Sequence, residues 1–310
     1  MLKKEYIPLY NPFLSKVEKS YVINCLNTNW ISSKGKYVKL FEDKFKKFIK
    51  VKHAISICNG TAALHVALLA LGIGKNDEVI TPTFTYIATA NSIKYVGAKV
   101  KFVDSKISSW QIDEDKILKC ITSKTKAILI PHIYGQSCEI NKIKKICKRK
   151  KLFLIEDCAE AFGSYYKKKH VGTFGDISTF SFFGSKTITT GEGGMVVTNN
   201  LKLAKKVIAL KMVGNDKNKY YWHNIIGYNY RMTNICAAMG YGQLSRAKLI
   251  LKKKKSIFKI YKKNLQKLPL FLHEEQKGTT HSYWLVSVRL KNFKIRDKLR
   301  KYLDTFRIET

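Results

Sequence analysis

The sequence predicts an α/β protein built on a mostly parallel sheet. Short apolar segments of strand length alternate with helical patterns through residues 54–157, and each strand–helix–strand unit places two strands in parallel. One strand, residues 152–157, is almost wholly apolar and ends in two carboxylates, which is typical of a buried strand that meets a ligand crevice. A lysine-rich helical stretch, residues 245–265, then leads into a smaller unit.

The other elements follow from apolar periodicity and from glycine and proline breaks. In chain order the predicted elements are helices 14–29 and 36–50, strand 54–58, helix 62–71, strand 77–82, helix 86–96, strands 99–104 and 126–131, helix 139–150, strand 152–157, strands 177–181 and 194–198, helix 201–212, a helix from about 233, helix 245–265, strand 283–290 and a final helix.

The composition indicates a soluble, cytoplasmic protein. With 310 residues and 45% hydrophobic content, the chain can bury one large core or two modest ones. It contains no apolar run of about eighteen residues, which disfavours a membrane span, and its N-terminus lacks a signal-peptide pattern. The seven cysteines are scattered and form no CxxC pair, which argues against a disulfide framework and a metal site.

The net charge of +36 comes almost entirely from lysine. The densest runs, residues 142–151 and 252–263, have amphipathic helical spacing, which indicates solvated helix faces. Arginine, the preferred reader of phosphates and bases, is scarce, so specific nucleic-acid binding is disfavoured. The positive field would still attract an anionic substrate.

One lysine stands apart from these runs. Lys186 lies within residues 179–195, among aromatic, hydroxyl and glycine residues, and follows Phe182 and Phe183. Desolvation lowers the pKa of a lysine, and a neutral amine can form a Schiff base with an aldehyde. An ordinary lysine in a surface loop is an equally good interpretation of this stretch alone.

Three further positions lie where an open parallel sheet holds ligands. Gly60 and Thr61 form a turn between a strand and a helix whose first amides suit a phosphate. An ordinary capped helix N-terminus would show the same sequence pattern. Tyr86 or Phe84 can stack on a flat ring, with core packing as the alternative. Asp157 closes its strand with a carboxylate.

Together these parts match the requirements of a pyridoxal 5'-phosphate enzyme. Such an enzyme needs a lysine for the aldehyde, an acid for the pyridinium nitrogen and a turn for the phosphate. Because side chains alternate along a strand, only one of Glu156 and Asp157 can face the site. The residues alone leave other α/β enzymes open.

A family resemblance is carried by five segments: residues 56–64, 81–91, 156–163, 181–186 with 191–194, and 227–232. In order and spacing they resemble the DegT/DnrJ/EryC1/StrS family of sugar aminotransferases over essentially the whole chain. Residues 30–35 and 221–234 are most similar to the branch that aminates C4 of a nucleotide-linked 4-keto-6-deoxyhexose.

The resemblance implies a role for each matching position. Lys186 would be the Schiff-base lysine and proton shuttle, and Asp157 would pair with the pyridine nitrogen. Tyr86 would stack on the ring. The remaining positions would be Gly60, Thr61, Ala62 and Ser181 at the phosphate, Asn229 at the phosphate of the neighbouring subunit's cofactor, and Glu160 near the ring oxygen.

The resemblance also implies the aspartate-aminotransferase-like fold of type I pyridoxal phosphate-dependent transferases. A large domain with a mixed, mostly parallel sheet would span residues 1–240. A smaller α+β domain would span residues 241–310, shorter than in relatives, which continue past this point. Activity would require a homodimer that shares its active sites across the interface.

In the implied reaction, glutamate gives its amino group to the cofactor, which passes it to a nucleotide-diphosphate 4-keto-6-deoxy sugar. The products would be perosamine- or viosamine-type amino sugars for glycan synthesis. Some relatives carry histidine in place of the lysine and dehydrate sugars, so the presence of Lys186 favours amination. The alternatives are a 3-aminotransferase, an inactive binding protein of the same fold and a nucleic-acid-binding protein. The nucleotide and the hexose epimer stay open.

Overall fold

The computed structural model describes residues 5–216, 219 and 221–310. Residues 1–4 of the N-terminal segment and residues 217, 218 and 220 of the connector before the helix predicted near 233 lie outside the described part. The helices are α1 (Lys16–Asn27), α2 (Lys36–Ile49), α3 (Gly60–Ala70), α4 (Ile87–Tyr95), α5 (Ile117–Cys120), α6 (Ile140–Lys150), α7 (Leu201–Lys211), α8 (Asn234–Ser245), α9 (Ala247–Leu265) and α10 (Phe293–Thr305), with a 3-10 turn at Ile133–Gly135.

Within these described ranges, the strands form one large sheet and two small ones. They are β1 (His53–Ile57), β2 (Glu78–Pro82), β3 (Lys99–Val103), β4 (Thr125–Pro131), β5 (Phe153–Asp157), β6 (Tyr165–Tyr166), β7 (Lys169–His170), β8 (Ile177–Ser181), β9 (Gly194–Thr198), β10 (Phe271–Leu272), β11 (Thr279–Thr280) and β12 (Val288–Arg289). The large sheet has the order β1-β9-β8-β5-β4-β2-β3.

Only β9 runs against its neighbours in the large sheet. The strands β3, β2, β4, β5 and β8 are mutually parallel, whereas β9 pairs antiparallel with both β8 and β1. The sheet is therefore mixed and mostly parallel, which confirms the predicted fold class. Its parallel strands end at one edge, where the connecting loops meet.

Two apolar clusters cover the faces of this sheet. On one face, Phe41 and Phe45 project from the same side of α2, one turn apart, and pack edge-on against Phe182 and Phe180, with ring centroids 5.2 Å and 5.0 Å apart. On the other face, α3 is buried along most of its length, because its sequence is apolar all round. Helices on both faces fix the sheet and thereby the positions of its strand ends.

The predicted strand 283–290 is wrong in most of its length. Only Val288–Arg289 pairs, with Phe271–Leu272, and Tyr283 adopts a left-handed conformation (φ 50°) that no regular strand contains. The apolar character of this stretch reflects the packing of Tyr283, which stacks on Phe258 of α9 with ring centroids 3.9 Å apart. Burial against a helix thus produced the signal that was interpreted as a strand.

The small sheet β11-β6-β7 was missed by the sequence analysis, since two-residue strands are too short to show a period. It joins the C-terminal segment to the rest of the protein, because Thr279 and Thr280 pair antiparallel with Tyr166 and Tyr165. The division into domains at residue 240 stays a prediction. Within the described residues, no helix combines the length and the apolar character needed to cross a bilayer.

Candidate active site

A cavity of about 550 Å³ opens at the carboxyl edge of the large sheet. Loops that follow β1, β2, β4, β5 and β8 all contribute to it, as expected for an open parallel sheet. Seven of the nine predicted site residues line the cavity: Gly60, Thr61, Tyr86, Asp157, Glu160, Ser181 and Lys186.

Lys186 lies in the loop between β8 and β9, and its amine is largely withdrawn from water. Its side chain is 13% exposed, and its Nζ lies 3.8 Å from Oε1 of Glu160. Burial lowers the pKa of Lys186, and the charges of Glu160 and Asp157 oppose this shift. The hydroxyl of Tyr10 donates a hydrogen bond of 2.5 Å to the carbonyl of Lys186 and holds its backbone.

Asp157 is the last residue of β5 and points into the cavity. Its Oδ1 accepts a hydrogen bond from the amide of Ala159 (3.1 Å), and its Oδ2 accepts one from the hydroxyl of Thr89 (3.0 Å). Burial raises the pKa of Asp157, while these bonds and the charge of Lys186 act against the rise. The ion pairs around the site join Lys186 to Glu160 and His132 to Glu156, and among the described residues no cation lies within 4.0 Å of the Asp157 carboxylate.

Glu156 faces away from the cavity, as the alternation along β5 predicts. Its carboxylate accepts hydrogen bonds from His132 (3.1 Å) and from the amides of Gly172 and Phe174 (2.8 Å each). Burial alone would raise the pKa of Glu156, but the contacts with His132 and the amides outweigh it and lower the pKa. Glu156 is therefore a structural anchor, and Asp157 is the acid available to a ligand.

The turn at Gly60 lies against the end of β8. A Cβ on Gly60 would stand 2.7 Å from Cβ of Ser181, so only glycine fits at this approach. The amides of Gly60 and Thr61 lie in the first turn of α3 and have no intrahelical carbonyl to bond, so they and the positive end of the helix dipole suit an anion. The hydroxyl-bearing residues Thr61 and Ser181 line the same end of the cavity.

Two predicted residues do not line the cavity. The side chain of Ala62 is buried, and its amide already donates a hydrogen bond of 2.8 Å to the capping side chain of Asn59. Asn229 is exposed and accepts a hydrogen bond of 3.0 Å from Nε of Arg231. Binding roles for both residues stay predictions, and that of Asn229 requires a second subunit.

Tyr86, rather than Phe84, faces the cavity. Tyr86 stands at the N-terminus of α4 with 68% of its surface exposed. Phe84 instead lines a neighbouring cavity with Trp110 and Tyr134. The stacking role of Tyr86 stays a prediction, but its ring is free to meet a flat ligand.

Four residues of the site escaped the sequence analysis: Tyr10, Thr89, Thr179 and Trp284. Tyr10 and Trp284 come from distant parts of the chain, and Trp284 lies over the Lys186 amine with 3.8 Å between Nζ and the ring centroid. Thr179 lines the cavity next to Asp157 in the sheet, and its buried hydroxyl finds no hydrogen-bond partner among the described residues. Signals existed for two of them, because Thr89 lies in the resemblance segment 81–91 and Thr179 lies in the predicted strand 177–181.

These observations test whether the residues fit pyridoxal phosphate. Within the described part of the chain, Asp157 is a buried acid with no ion-pair partner and Thr179 carries an unpartnered hydroxyl, and Gly60 leaves a cradle that a Cβ would fill. A cationic ring nitrogen, a polar ring substituent and a phosphate are the groups that would satisfy them. The cavity fits the cofactor, and fold and site together define a pyridoxal phosphate-dependent aminotransferase.

Comparison with known proteins identifies the group within that class. The chain belongs to the DegT/DnrJ/EryC1/StrS aminotransferase family, whose model matches residues 12–310. It is 53% identical over 306 residues to the GDP-perosamine synthase of Escherichia coli O157:H7, covering 99% of this chain and 84% of that protein. It is 49% identical over 306 residues to the GDP-perosamine synthase of Vibrio cholerae, covering 98% and 83%.

A solved structure confirms the fold. The putative sugar aminotransferase Spr1654 from Streptococcus pneumoniae, in its PLP form, superposes with a TM-score of 0.94 at 26% identity, covering 98% of this chain and 84% of the other. The family resemblance drawn from the five sequence segments is thereby confirmed.

Proposed function

We propose that this protein moves an amino group from glutamate to C4 of a nucleotide-diphosphate-linked 4-keto-6-deoxyhexose, and that the nucleotide is GDP. Two relatives named GDP-perosamine synthase, at 53% and 49% identity over nearly the whole chain, support the GDP sugar and the position of amination. The observation that carries the proposal is that the amine of Lys186 is largely buried and shares one cavity with Glu160 and Asp157.

Pyridoxal phosphate, when bound, supplies an electron-withdrawing ring and a carrier for the amino group. Lys186 would hold its aldehyde carbon, Asp157 its ring nitrogen, and Tyr86 one face of its ring. The residues Gly60, Thr61 and Ser181 would hold its phosphate.

The environment of Lys186 suits proton transfer. Because burial lowers its pKa, a larger fraction of the amine is neutral at a given pH than for an exposed lysine, and the neutral amine can accept a proton. Burial also raises the pKa of Glu160, whose Oε1 faces this amine at 3.8 Å, so Glu160 can hold a proton within the same site. The two groups together can keep a proton close to the reacting atoms.

The role of Asp157 is electrostatic. A buried carboxylate is costly unless a cation faces it, and a protonated ring nitrogen would supply that cation. The hydrogen bonds from Thr89 and Ala159 hold the carboxylate in one orientation. In that orientation the carboxylate would face the ring nitrogen and favour its protonated form.

A homodimer completes the proposal. Asn229 is exposed and is not among the residues that line the cavity of its own chain, which supports a role for it at the cavity of a second copy. Exposed large apolar residues that precede it in the chain, including Trp222 and Ile226, support a covered surface on this segment. A cytoplasmic location stays a prediction.

The decisive experiment offers the purified protein GDP-, UDP- and dTDP-linked 4-keto-6-deoxy sugars with glutamate. We expect 2-oxoglutarate to accumulate beyond one equivalent per protein chain only with the GDP sugar, because the first amino transfer to the cofactor needs no sugar, and we expect the NMR spectrum of the product to place nitrogen at C4. Amination at C3, or equal use of the three nucleotides, would contradict the proposal.

A further inference from the structure

The indole of Trp284 covers the amine of Lys186, which also faces Glu160. The Nζ lies 3.8 Å from the ring centroid, and Trp284 itself is only 9% exposed. The indole Nε1–H donates a hydrogen bond of 2.7 Å to the carbonyl of Ser185. One side chain thus contacts the reacting amine and also holds the peptide that carries it.

Trp284 is fixed by groups from two other parts of the fold. Its amide donates a hydrogen bond of 3.2 Å to the carbonyl of Tyr134, and its ring stacks on the Tyr134 ring at 18° with centroids 6.1 Å apart. Its carbonyl accepts a hydrogen bond of 2.8 Å from Nζ of Lys254 on α9. These contacts leave the indole little freedom to swing away from Lys186.

The amine of Lys186 belongs to a ring of contacts that also includes Trp284, Tyr134 and Glu160. Tyr134 lies in the 3-10 turn in a left-handed conformation (φ 55°), which turns its amide toward Glu160 and its carbonyl toward Trp284. The amide donates a hydrogen bond of 2.8 Å to Oε2 of Glu160, whose Oε1 lies 3.8 Å from Lys186. The backbone of Tyr134 therefore sets the distance between the two side chains that enclose the amine.

We propose that Trp284 is a positioning residue for Lys186: its indole keeps water from one side of the amine, and its Nε1–H holds the peptide bond before it. The inference rests on the proposed function in that Lys186 is the reacting amine, and it adds a residue that no sequence motif identified. The predicted strand 283–290 gave no indication that Trp284 would lie over the Lys186 amine.

Two opposing effects decide what removal of the indole does. The ring face attracts an ammonium ion, whereas the cover excludes the water that would solvate it. Desolvation is the larger effect, since the pKa of Lys186 is lowered even with Glu160 and Asp157 nearby. Loss of the cover should therefore shift the titration midpoint of Lys186 upward.

The other titratable groups that approach this site are few in the described residues. Tyr10 contacts the Lys186 backbone through its hydroxyl, and Lys254 reaches the Trp284 carbonyl rather than its ring. Burial lowers the pKa of Lys254 to about 8. Because its partner is a backbone carbonyl, Lys254 keeps that bond when the indole is removed and serves as an internal reference.

The test measures the amine itself in the full chain freed of cofactor. Competitive acetylation across a pH series, read by mass spectrometry, gives a titration midpoint for each lysine in the same sample. In Trp284→Ala we expect the midpoint of Lys186 to shift upward while that of Lys254 stays unchanged, and in Trp284→Phe, which keeps a covering ring, we expect the wild-type midpoint.

An unchanged Lys186 midpoint in Trp284→Ala, or an equal shift of Lys254, would overturn the proposal. If Trp284→Ala does not fold, Trp284→Leu keeps apolar packing and should show a smaller upward shift, and the absence of that shift is equally decisive. Failure of the wild-type chain to bind pyridoxal phosphate would instead overturn the proposed function, and acetylation would still report on Trp284.

Discussion

The hydroxyl of Thr89 donates a hydrogen bond of 3.0 Å to Oδ2 of Asp157, and the same hydroxyl lies 2.9 Å from the hydroxyl of Thr85. The N-terminal turn of α4 thus reaches across to the end of β5 and orients the acid of the site. Because Asp157 is buried, this contact acts in an environment where hydrogen bonds to charge are strong.

Thr89→Val should weaken cofactor binding. Hydrogen bonds to charged groups contribute about 1.5–3 kcal/mol, which corresponds to roughly ten- to a hundredfold in the dissociation constant. Titration of the chain with pyridoxal phosphate, followed by absorbance, measures the change. Thr85→Val is the matched control, because Thr85 contacts Thr89 but not Asp157, and equal losses in both variants would contradict a specific role for Thr89.

Lys186→Ala should abolish covalent attachment of the cofactor. Reduction with borohydride in the presence of pyridoxal phosphate should attach a phosphopyridoxyl group, with the loss of water and the gain of two hydrogens, to a peptide containing residue 186 in the wild type and to no peptide in the variant. Lys254→Met is the control, since this lysine is also buried yet lies outside the cavity lining. Attachment at another lysine in the wild type would show that Lys186 has been assigned the wrong role.

Gly60→Ala should destabilise the protein and weaken phosphate binding together. The new Cβ would meet Cβ of Ser181 at 2.7 Å, and overpacking of this kind costs about 1–3 kcal/mol. Urea unfolding and cofactor titration measure the two effects. Gly184→Ala is the control because no atom lies within 4 Å of its new Cβ. The double variant Gly60→Ala, Ser181→Gly should recover part of the lost stability, and no recovery would exclude this contact as the cause.

Acid should destabilise the fold through buried histidine. Burial lowers the pKa of His170 to about 4, whereas its ordinary value is 6.5, so the unfolded chain takes up this proton first as pH falls. The stabilising contribution is complete above pH 6.5 and is lost progressively toward pH 4, by about 3 kcal/mol. Urea unfolding at a series of pH values should show a flatter profile for His170→Gln than for the wild type.

Exposed His223 provides the comparison for that experiment, because His223→Gln alters a histidine at the surface. Its profile should follow that of the wild type. If His170→Gln and the wild type lose stability equally between pH 6.5 and pH 4, the acid sensitivity comes from other groups, of which His273, with its pKa also lowered to about 4, is the next to replace.

The parts of the site that could be predicted are those fixed by local chain geometry. The apolar run before Asp157 determines a buried strand, the strand determines its exposed end, and alternation selects Asp157 over Glu156. The glycine turn at Gly60 could be predicted for the same reason. The family resemblance then supplied the order of the parts, which single motifs leave open.

The parts that could not be predicted depend on tertiary contacts. Trp284 reaches Lys186 only because Tyr283 packs on Phe258 and interrupts what reads as a strand. The pairing of Thr279 and Thr280 with Tyr166 and Tyr165 involves segments more than a hundred residues apart and too short to leave a pattern. Local sequence contains no information about which distant segment will cover a given side chain.

The contacts of Tyr10 and Trp284 with residues 185 and 186 also have a consequence for the order of assembly. The lysine emerges from the ribosome well before residue 284, and until that residue is in place its amine has no aromatic cover. The burial of Lys186 is therefore completed late, after most of the sheet can form. A nascent chain holds a more exposed lysine at this position until two distant segments have closed over the loop.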